Sequence, residues 1–318
     1  MRLLVFVTLL AALLLGLEWP SLACIHPPRT YEGSIGSQAQ EAILLYADGQ
    51  EELILKVDYA AGGGALESFG WVITVPNEPE RYEVADPKLF KDVFQWAQRY
   101  EPVQRNAPWN AEAEDAPNPQ HALEMGKRVQ VGPFDIQPVR GRGQAAAKGL
   151  NDWLTKNGFA ALEEKSTAWF VERNFTFLCV KVVPGEGQKA LGASGALPPL
   201  QLSFKTEKPY FPLKLSATQG AFELNLYTLT RGNLDFKASE ALLKKVGWGG
   251  AYQDHLRQNT EVRRKDYPRT LEDAVAKSAF KDDQADWKLN RIHIAPVNKD
   301  GALKDWNGEF FLEPAAAR

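Results

Sequence analysis

Ala42-Ile-Leu-Leu-Tyr46, Asp48-Gly49 and Leu53-Ile-Leu-Lys-Val-Asp-Tyr59 decide the fold class of this chain. Two β-rich runs flank a dipeptide that tolerates positive φ at both positions, the signal for a two-residue hairpin turn. In the second run Leu53, Leu55, Val57 and Tyr59 alternate with Ile54, Lys56 and Asp58, so an antiparallel meander begins here. Beyond the loop Gly62-Gly63-Gly64, the run Phe69-Gly-Trp-Val-Ile-Thr-Val75 is apolar almost throughout and stops at Pro76. It predicts a central strand covered on both faces.

Working outward, Asp86-Pro87 predicts a helix start, with Asp as N-cap and Pro at the first helical position. Leu89, Phe90, Val93, Phe94, Ala97 and Tyr100 follow at helical spacing. Glu101 to Lys127 carries prolines and acids without period and reads as a long surface excursion. Strands are expected at 128–131 and 134–139, a helix at 144–156 ended by Asn157-Gly158, and a strand at 175–183. The glycine-rich stretch 184–196 reads as a loop. Alternation resumes through Leu200, Leu202, Phe204, then Leu213, Leu215, Phe222, Leu224 and Leu226. Helices are expected at 239–246, stopped by Gly247, and at 271–280, where Thr270 and Asp273 resemble a capping box. A strand at 291–297 and a short Phe310-Phe311-Leu312 end the pattern. Strands and helices mix without regular alternation, which argues an α+β fold of largely antiparallel sheet with peripheral helices.

The first 23 residues have the layout of a secretory signal peptide: Met1-Arg2, an apolar run from Leu3 to Leu17, and the small-x-small site Ser21-Leu22-Ala23. Glu18 ends the run short of the roughly 20 apolar residues a spanning helix needs. Cleavage after Ala23 would leave residues 24–318 as one exported α+β domain, as a single body or as two lobes, periplasmic or extracellular and without a transmembrane segment. The alternative is lipid anchoring through Cys24, although Ser21 stands where a lipoprotein signal has an aliphatic residue. Cys24 and Cys179 are the two cysteines, and in an oxidising compartment they could pair. Against pairing, Cys179 lies in an apolar strand where a buried thiol is ordinary. With 37 basic and 40 acidic residues and one short basic run, Arg263-Arg264-Lys265, nothing points to nucleic acid.

Several segments together resemble a bacterial exported family, domain of unknown function 2330. They are Ala23-Cys24, the hairpin at Asp48-Gly49, and Phe69-Gly-Trp-Val-Ile-Thr-Val-Pro76. Further along they are Val131-Gly-Pro-Phe-Asp-Ile136, the helix bearing Trp153-Leu154 and ending at Asn157-Gly158, Leu197-Pro-Pro-Leu-Gln-Leu-Ser-Phe204 with Tyr210-Phe-Pro-Leu-Lys-Leu215, and Lys288-Leu-Asn-Arg-Ile292. Asn290 stands where the family pattern has Thr, and a further cysteine near the first is missing. The resemblance implies fold and compartment and transfers no catalytic or binding residue.

The apparent chemical motifs lack their partners. Gly141-Arg-Gly-Gln-Ala-Ala146 fits G-x-G-x-x-A between strand and helix, with Glu163 and Glu164 beyond it, but no tight parallel βαβ unit is evident. Ser278-Ala-Phe-Lys281 fits S-x-x-K, yet Ser-Asp-Asn is missing and Lys205-Thr206 is followed by Glu207. His26, His121, His255 and His293 are scattered, so no metal site is implied, and His293 should face the polar side of its strand. Paired carboxylates for hydrolysis depend on spatial separation, which sequence does not give. Of the nine tryptophans, Trp96, Trp109, Trp248 and Trp306 fall in loops, helix margins or glycine-flanked turns. Trp248 and Trp109 are the candidate binding residues of an aromatic platform, against the alternative of a Trp folded over the core. The expectation is an exported envelope protein that binds or scaffolds without catalysis and without a cofactor. An exported carboxylate hydrolase or an aromatic-mediated glycan binder are the alternatives, and the partner, an envelope protein or a glycan, stays unidentified.

Overall fold

The Asp48-Gly49 turn forms as the sequence requires: both residues have positive φ, 51° and 78°, the two-residue geometry that matches strand twist. It joins β2 (Ile35–Ala47) to β3 (Gln50–Ala61) in antiparallel register, with Ala47 opposite Gln50 and a bulge between Ser37 and Ala39. The computed structural model describes residues 24–100, 124–140, 144–185, 187–216, 220–248, 258–303 and 306–316, and all that follows concerns these. The leader with its cleavage site after Ala23, most of the 101–127 excursion, and Trp109, His121 and His255 lie outside them.

Two sheets carry the molecule. The larger adds β5 (Arg81–Val84), β10 (Ser194–Ala196), β11 (Leu200–Lys205), β13 (Phe222–Thr230), β14 (Thr260–Val262) and β15 (Trp287–Val297) to the hairpin. Its order is β14-β15-β13-β2-β3-β11-β5, with β10 also on β3. Every pair is antiparallel except β13 with β2. The second sheet, all antiparallel, runs β1 (Ile25–His26), β4 (Phe69–Val75), β9 (Thr176–Val182), β8 (Phe134–Arg140) and β6 (Glu124–Met125), with β7 (Val129–Val131) on β8. β12 (Tyr210–Phe211) and β16 (Phe310–Phe311) form a separate two-stranded ribbon. This is the α+β, mainly antiparallel architecture read from the sequence.

The alternating residues explain the layering. Leu53, Leu55, Val57 and Tyr59 face a core shared with β4, where the Tyr59 and Phe69 rings meet at 5.1 Å. The opposite face of the large sheet, with Ile43, Leu45, Ile54, Tyr227 and Leu289, is covered by α1 (Leu89–Ala97) and by a later helix, Arg269–Ala276. All seven residues of β4 are buried, because its second face is roofed by α2 (Gln144–Lys156) and α3 (Glu164–Glu172). Gly70 sits under the Phe159 ring that follows α2, and an added Cβ there would lie 2.9 Å from it. α4 (Glu240–Val246) ends at Gly247 with φ 104°, a left-handed C-cap. Arg269–Ala276 is α5. Among the described residues no helix is long and apolar enough to cross a membrane.

Local readings shift in instructive ways. Asp86 does not cap α1 directly: its Oδ1 accepts from Lys88 N at 2.7 Å, and the helix begins at Leu89. The Thr270 capping box does not form, since α5 already starts at Arg269 and the Thr270 hydroxyl is spent on Asp92 of α1 at 2.9 Å. Helix α3 was not visible as a pattern, because its buried residues Thr167, Trp169, Phe170 and Val171 are bunched instead of periodic. Leu213 and Leu215 alternate in sequence but lie beyond β12, Leu213 in irregular backbone and Leu215 in a turn.

The two cysteines are buried thiols and no disulfide joins them. Register gives the reason. Val72 N donates to the Cys24 carbonyl, while Cys179 pairs with Val72 from the other side, so the cysteines lie two strand spacings apart. That is about 9–10 Å, beyond the roughly 7 Å between Cα atoms that a disulfide can span. Burial pushes the Cys24 thiol up to about 12 and raises Cys179 further.

Candidate functional site

Carboxylates with raised pKa exist, and they are sealed. Glu309, just before β16, is 6% exposed, and its Oε1 accepts the backbone N–H groups of Leu213 (2.9 Å), Lys214 (3.0 Å) and Phe310 (2.9 Å). Its other oxygen has no hydrogen-bond partner among the described residues. Desolvation pushes its pKa up to about 7, against those three amides and the nearby Lys214 charge. The Tyr210 hydroxyl lies beside it and donates to the Thr74 carbonyl at 3.0 Å. Glu51, fully buried at the start of β3, accepts Tyr210 N at 2.8 Å and is likewise raised by burial. Its neighbour Glu52 points to the other face of the sheet, where it accepts Ala279 N (2.7 Å) and Gln201 Nε2 (3.0 Å). A crevice lined by Thr74, Pro212 and Leu215 among others holds ≈ 10 Å³, room for about one water, and Glu309 does not line it. A general acid or base must reach its substrate. Instead Glu51 ties β12 to the start of β3, Glu309 ties β16 to the segment after β12, and Glu52 ties β3 to the segment after the Arg269–Ala276 helix.

An accessible hollow lies on the opposite face of the large sheet. After β14 the chain turns through Arg264–Asp266 as a 3₁₀ turn, and Tyr267-Pro268 lead into α5. Arg264 locks this turn. Its Nε and Nη2 grip the Glu272 carboxylate at 2.6–3.1 Å, and its Nη1 donates to the carbonyls of Phe280 (3.3 Å), Lys281 (2.6 Å) and Asp283 (2.7 Å). Every guanidinium nitrogen is engaged, and the Glu272 hydrogen bond raises the Arg264 pKa. Thr270 ties α5 to α1 through Asp92, and Trp96 of α1 stands edge-on to Tyr100 (5.6 Å) and Tyr267 (5.4 Å).

Two hollows meet at Tyr267. One, ≈ 410 Å³, is lined by Arg264, Lys265, Tyr267, Arg269, Glu272 and Gln284. The other, ≈ 260 Å³, lies between α1 and the turn and is lined by Asp92, Gln95, Trp96, Arg99, Asp266, Tyr267 and Pro268. The larger falls within the usual range for ligand sites. The carboxylates here are already matched: Asp92 with Thr270, Asp266 with Arg263 at 2.8 Å, and Glu272 with Arg264. Burial raises the Tyr267 hydroxyl pKa, and that oxygen and Trp96 Nε1 are buried with no hydrogen-bond partner among the described residues.

The residues singled out from sequence fall elsewhere. Trp248 is half-buried, its ring 6.0 Å from Phe236, and its backbone N–H donates to Leu243 to close α4. It is the hydrophobic residue after a glycine C-cap that packs back on its helix. Trp306 borders the Lys214 ammonium, which also lies 5.9 Å from the Trp169 ring. Helix α2 begins inside the Gly141–Ala146 motif, at Gln144, with 141–143 outside the described residues, but β8 and β9 on either side of α2 and α3 are antiparallel, which is not a dinucleotide-binding unit. Ser278 is buried, donates to Val275 O and accepts Phe280 N, while Lys281 is exposed. His293 is half-buried on the polar side of β15 beside Glu223 at 2.9 Å. Among the described residues no three His, Cys, Asp or Glu side chains gather to hold a metal. Sequence reasoning noted Trp96 and the Arg263–Lys265 run but did not connect them. The signal was a basic run followed by Tyr267-Pro268 at a helix start.

No curated protein matches the chain. Among solved structures it is similar to baculovirus P35, at 10% identity and a TM-score of 0.42 over 92% of this chain and 100% of that one. Residues 31–275 match the family described as "Uncharacterized protein conserved in bacteria (DUF2330)", and the chain belongs to that family.

Proposed function

We propose that this is an exported bacterial envelope protein that binds a ligand, without catalysis, in the groove between α1, the Arg264–Pro268 turn and α5. One observation carries the reading. The polar concavity at Tyr267 is open to a ligand, whereas the carboxylates whose pKa values would suit acid–base chemistry are enclosed. Export rests on the leader. The burial of Cys24 against β4 supports a mature N-terminus without a lipid on that thiol, since an acyl-bearing sulfur has no room in a core. The tucked position of Trp248 gives no support to sugar stacking there.

The test is a small-molecule and oligosaccharide screen on isotope-labelled protein. Hits should perturb the amides of α1, residues 264–268 and α5, and Tyr267→Ala should weaken them. Hits that map to another face would overturn the groove, and turnover of a peptide or glycoside abolished by Glu309→Gln would overturn the non-catalytic reading.

A further inference from the structure

The groove is short of acceptors. Asp266 and Glu272 are paired with Arg263 and Arg264, and Asp92 accepts the neutral Thr270 hydroxyl, so its single charge faces the three remaining cations of the lining, Arg99, Lys265 and Arg269. Arg99 and Lys265, both exposed, have no ion-pair or hydrogen-bond partner among the described residues. Arg269 reaches only Asp273, at 3.8 Å with 93% of its side chain exposed. Arg99 borders the smaller hollow, Lys265 and Arg269 the larger. Two donors there lack an acceptor among the described residues, the hydroxyl of Tyr267, which lines both hollows, and the indole N–H of Trp96, which lines the smaller and is only 2% exposed. Burying a donor without a partner costs about 1–3 kcal/mol, so two of them on residues that line the ≈ 260 Å³ hollow call for an acceptor from outside.

We propose that the groove takes a ligand bearing an oxyanion, a phosphate or a carboxylate, seated at Tyr267 with Arg99 and Lys265 as its counter-charges. The proposal rests on the groove being the binding site and adds the ligand's chemistry. In it, the partly exposed Tyr267 ring swings enough for one anion oxygen to accept from its hydroxyl and from Trp96 Nε1. The Arg99 fork and the Lys265 ammonium close over the remaining oxygens, charge-assisted bonds roughly twice as strong as neutral ones. Arg264 takes no part, because all its nitrogens are committed to the fold.

The experiment titrates the full mature protein with glucose 1-phosphate, glucuronate and glucose at constant ionic strength, while following the Trp96 indole N–H resonance, assigned through Trp96→Phe. A saturable downfield shift is expected with one or both anions and not with glucose, and which anion acts tells phosphate from carboxylate. Arg99→Ala with Lys265→Ala should weaken binding by about tenfold or more, the size of one lost charge-assisted contact. The pair Arg99→Glu and Lys265→Glu should abolish it. Both positions are exposed, so the variants fold. An equal shift with glucose alone would overturn the anion assignment and leave the groove standing. Anion binding that ignores both double variants, or a Trp96 indole unmoved by either anion, would overturn the assignment as well.

Discussion

Replacing Glu309 by Gln isolates one buried proton. Gln keeps the Oε1 that accepts from Leu213, Lys214 and Phe310, and it removes the titration. In the folded protein Glu309 is pushed from 4.5 up to about 7. A carboxyl whose folded pKa lies above its unfolded one holds its proton more tightly when folded. Its contribution to stability is complete below the unfolded value and is lost as pH rises through the folded one. At about 1.4 kcal/mol per unit, the loss from pH 4.5 to above pH 7 is on the order of 3 kcal/mol. Glu51 and Lys214 are perturbed by the same burial, so the wild-type curve alone mixes several groups. The difference between the wild-type and Glu309→Gln curves removes what they share. Urea unfolding at a series of pH values should show Glu309→Gln gaining on wild type by about 3 kcal/mol between pH 4.5 and 8, most steeply between pH 5 and 7. Parallel curves would show that the carboxylate is solvated in the folded state and that the seal around β16 is wrong.

Glu309→Ala removes the acceptor for three backbone amides and should cost at least about 3 kcal/mol at pH 4.5 by urea titration, since each orphaned N–H costs about 1–3, and the cost should shrink as pH rises past 7, where wild type has lost the Glu309 contribution. Gly70→Ala drives a methyl group into the Phe159 ring at 2.9 Å and should destabilise by about 1–3 kcal/mol, read as a lower denaturant midpoint with unchanged slope. Alkylation in denaturant without reductant should add two groups to mature protein and none in the native state, because Cys24 and Cys179 are buried thiols; no label in denaturant would restore the disulfide, and a single label would mean that one thiol is blocked, as by a lipid on Cys24. Intact mass of exported protein should match a chain beginning at Cys24 with no lipid, and a mass that retains Met1 would remove the signal-peptide reading.

The fold was legible where local chemistry and tertiary need agree. Asp48-Gly49 fixes a turn by its own φ preferences, and the alternation of Leu53 to Tyr59 fixes which face is buried. What escaped depends on distant partners. The parallel pairing of β13 with β2 joins segments far apart in sequence, and either strand reads alike beside a parallel or an antiparallel neighbour. Thr270 satisfies the letters of a capping box, yet its hydroxyl finds a better partner in Asp92, contributed by a helix packed on the same face of the sheet. The cysteine pair shows the same limit: two residues in an oxidising compartment can bond only if register brings them together, and Val72 stands between them.

The site was less legible than the fold because function here turns on which polar groups are left over. Arg264 and Arg99 are equivalent as letters. The first is consumed by Glu272 and three carbonyls and holds the turn in place, while the second lies exposed just after α1 without a hydrogen-bond or ion-pair partner among the described residues. Glu309 and Glu272 differ in the same way: one is enclosed and serves the β12–β16 ribbon, the other is exposed enough to anchor an arginine at the rim of a hollow. Tyr267 links the two parts of this logic. Pro268 fixes the start of α5, which sets Tyr267 edge-on to Trp96, and the same packing buries both donors without an acceptor. A chain that needed only stability would gain by filling those two positions with Phe, so their donors mark the place where this fold retains a polar cost that a ligand can repay.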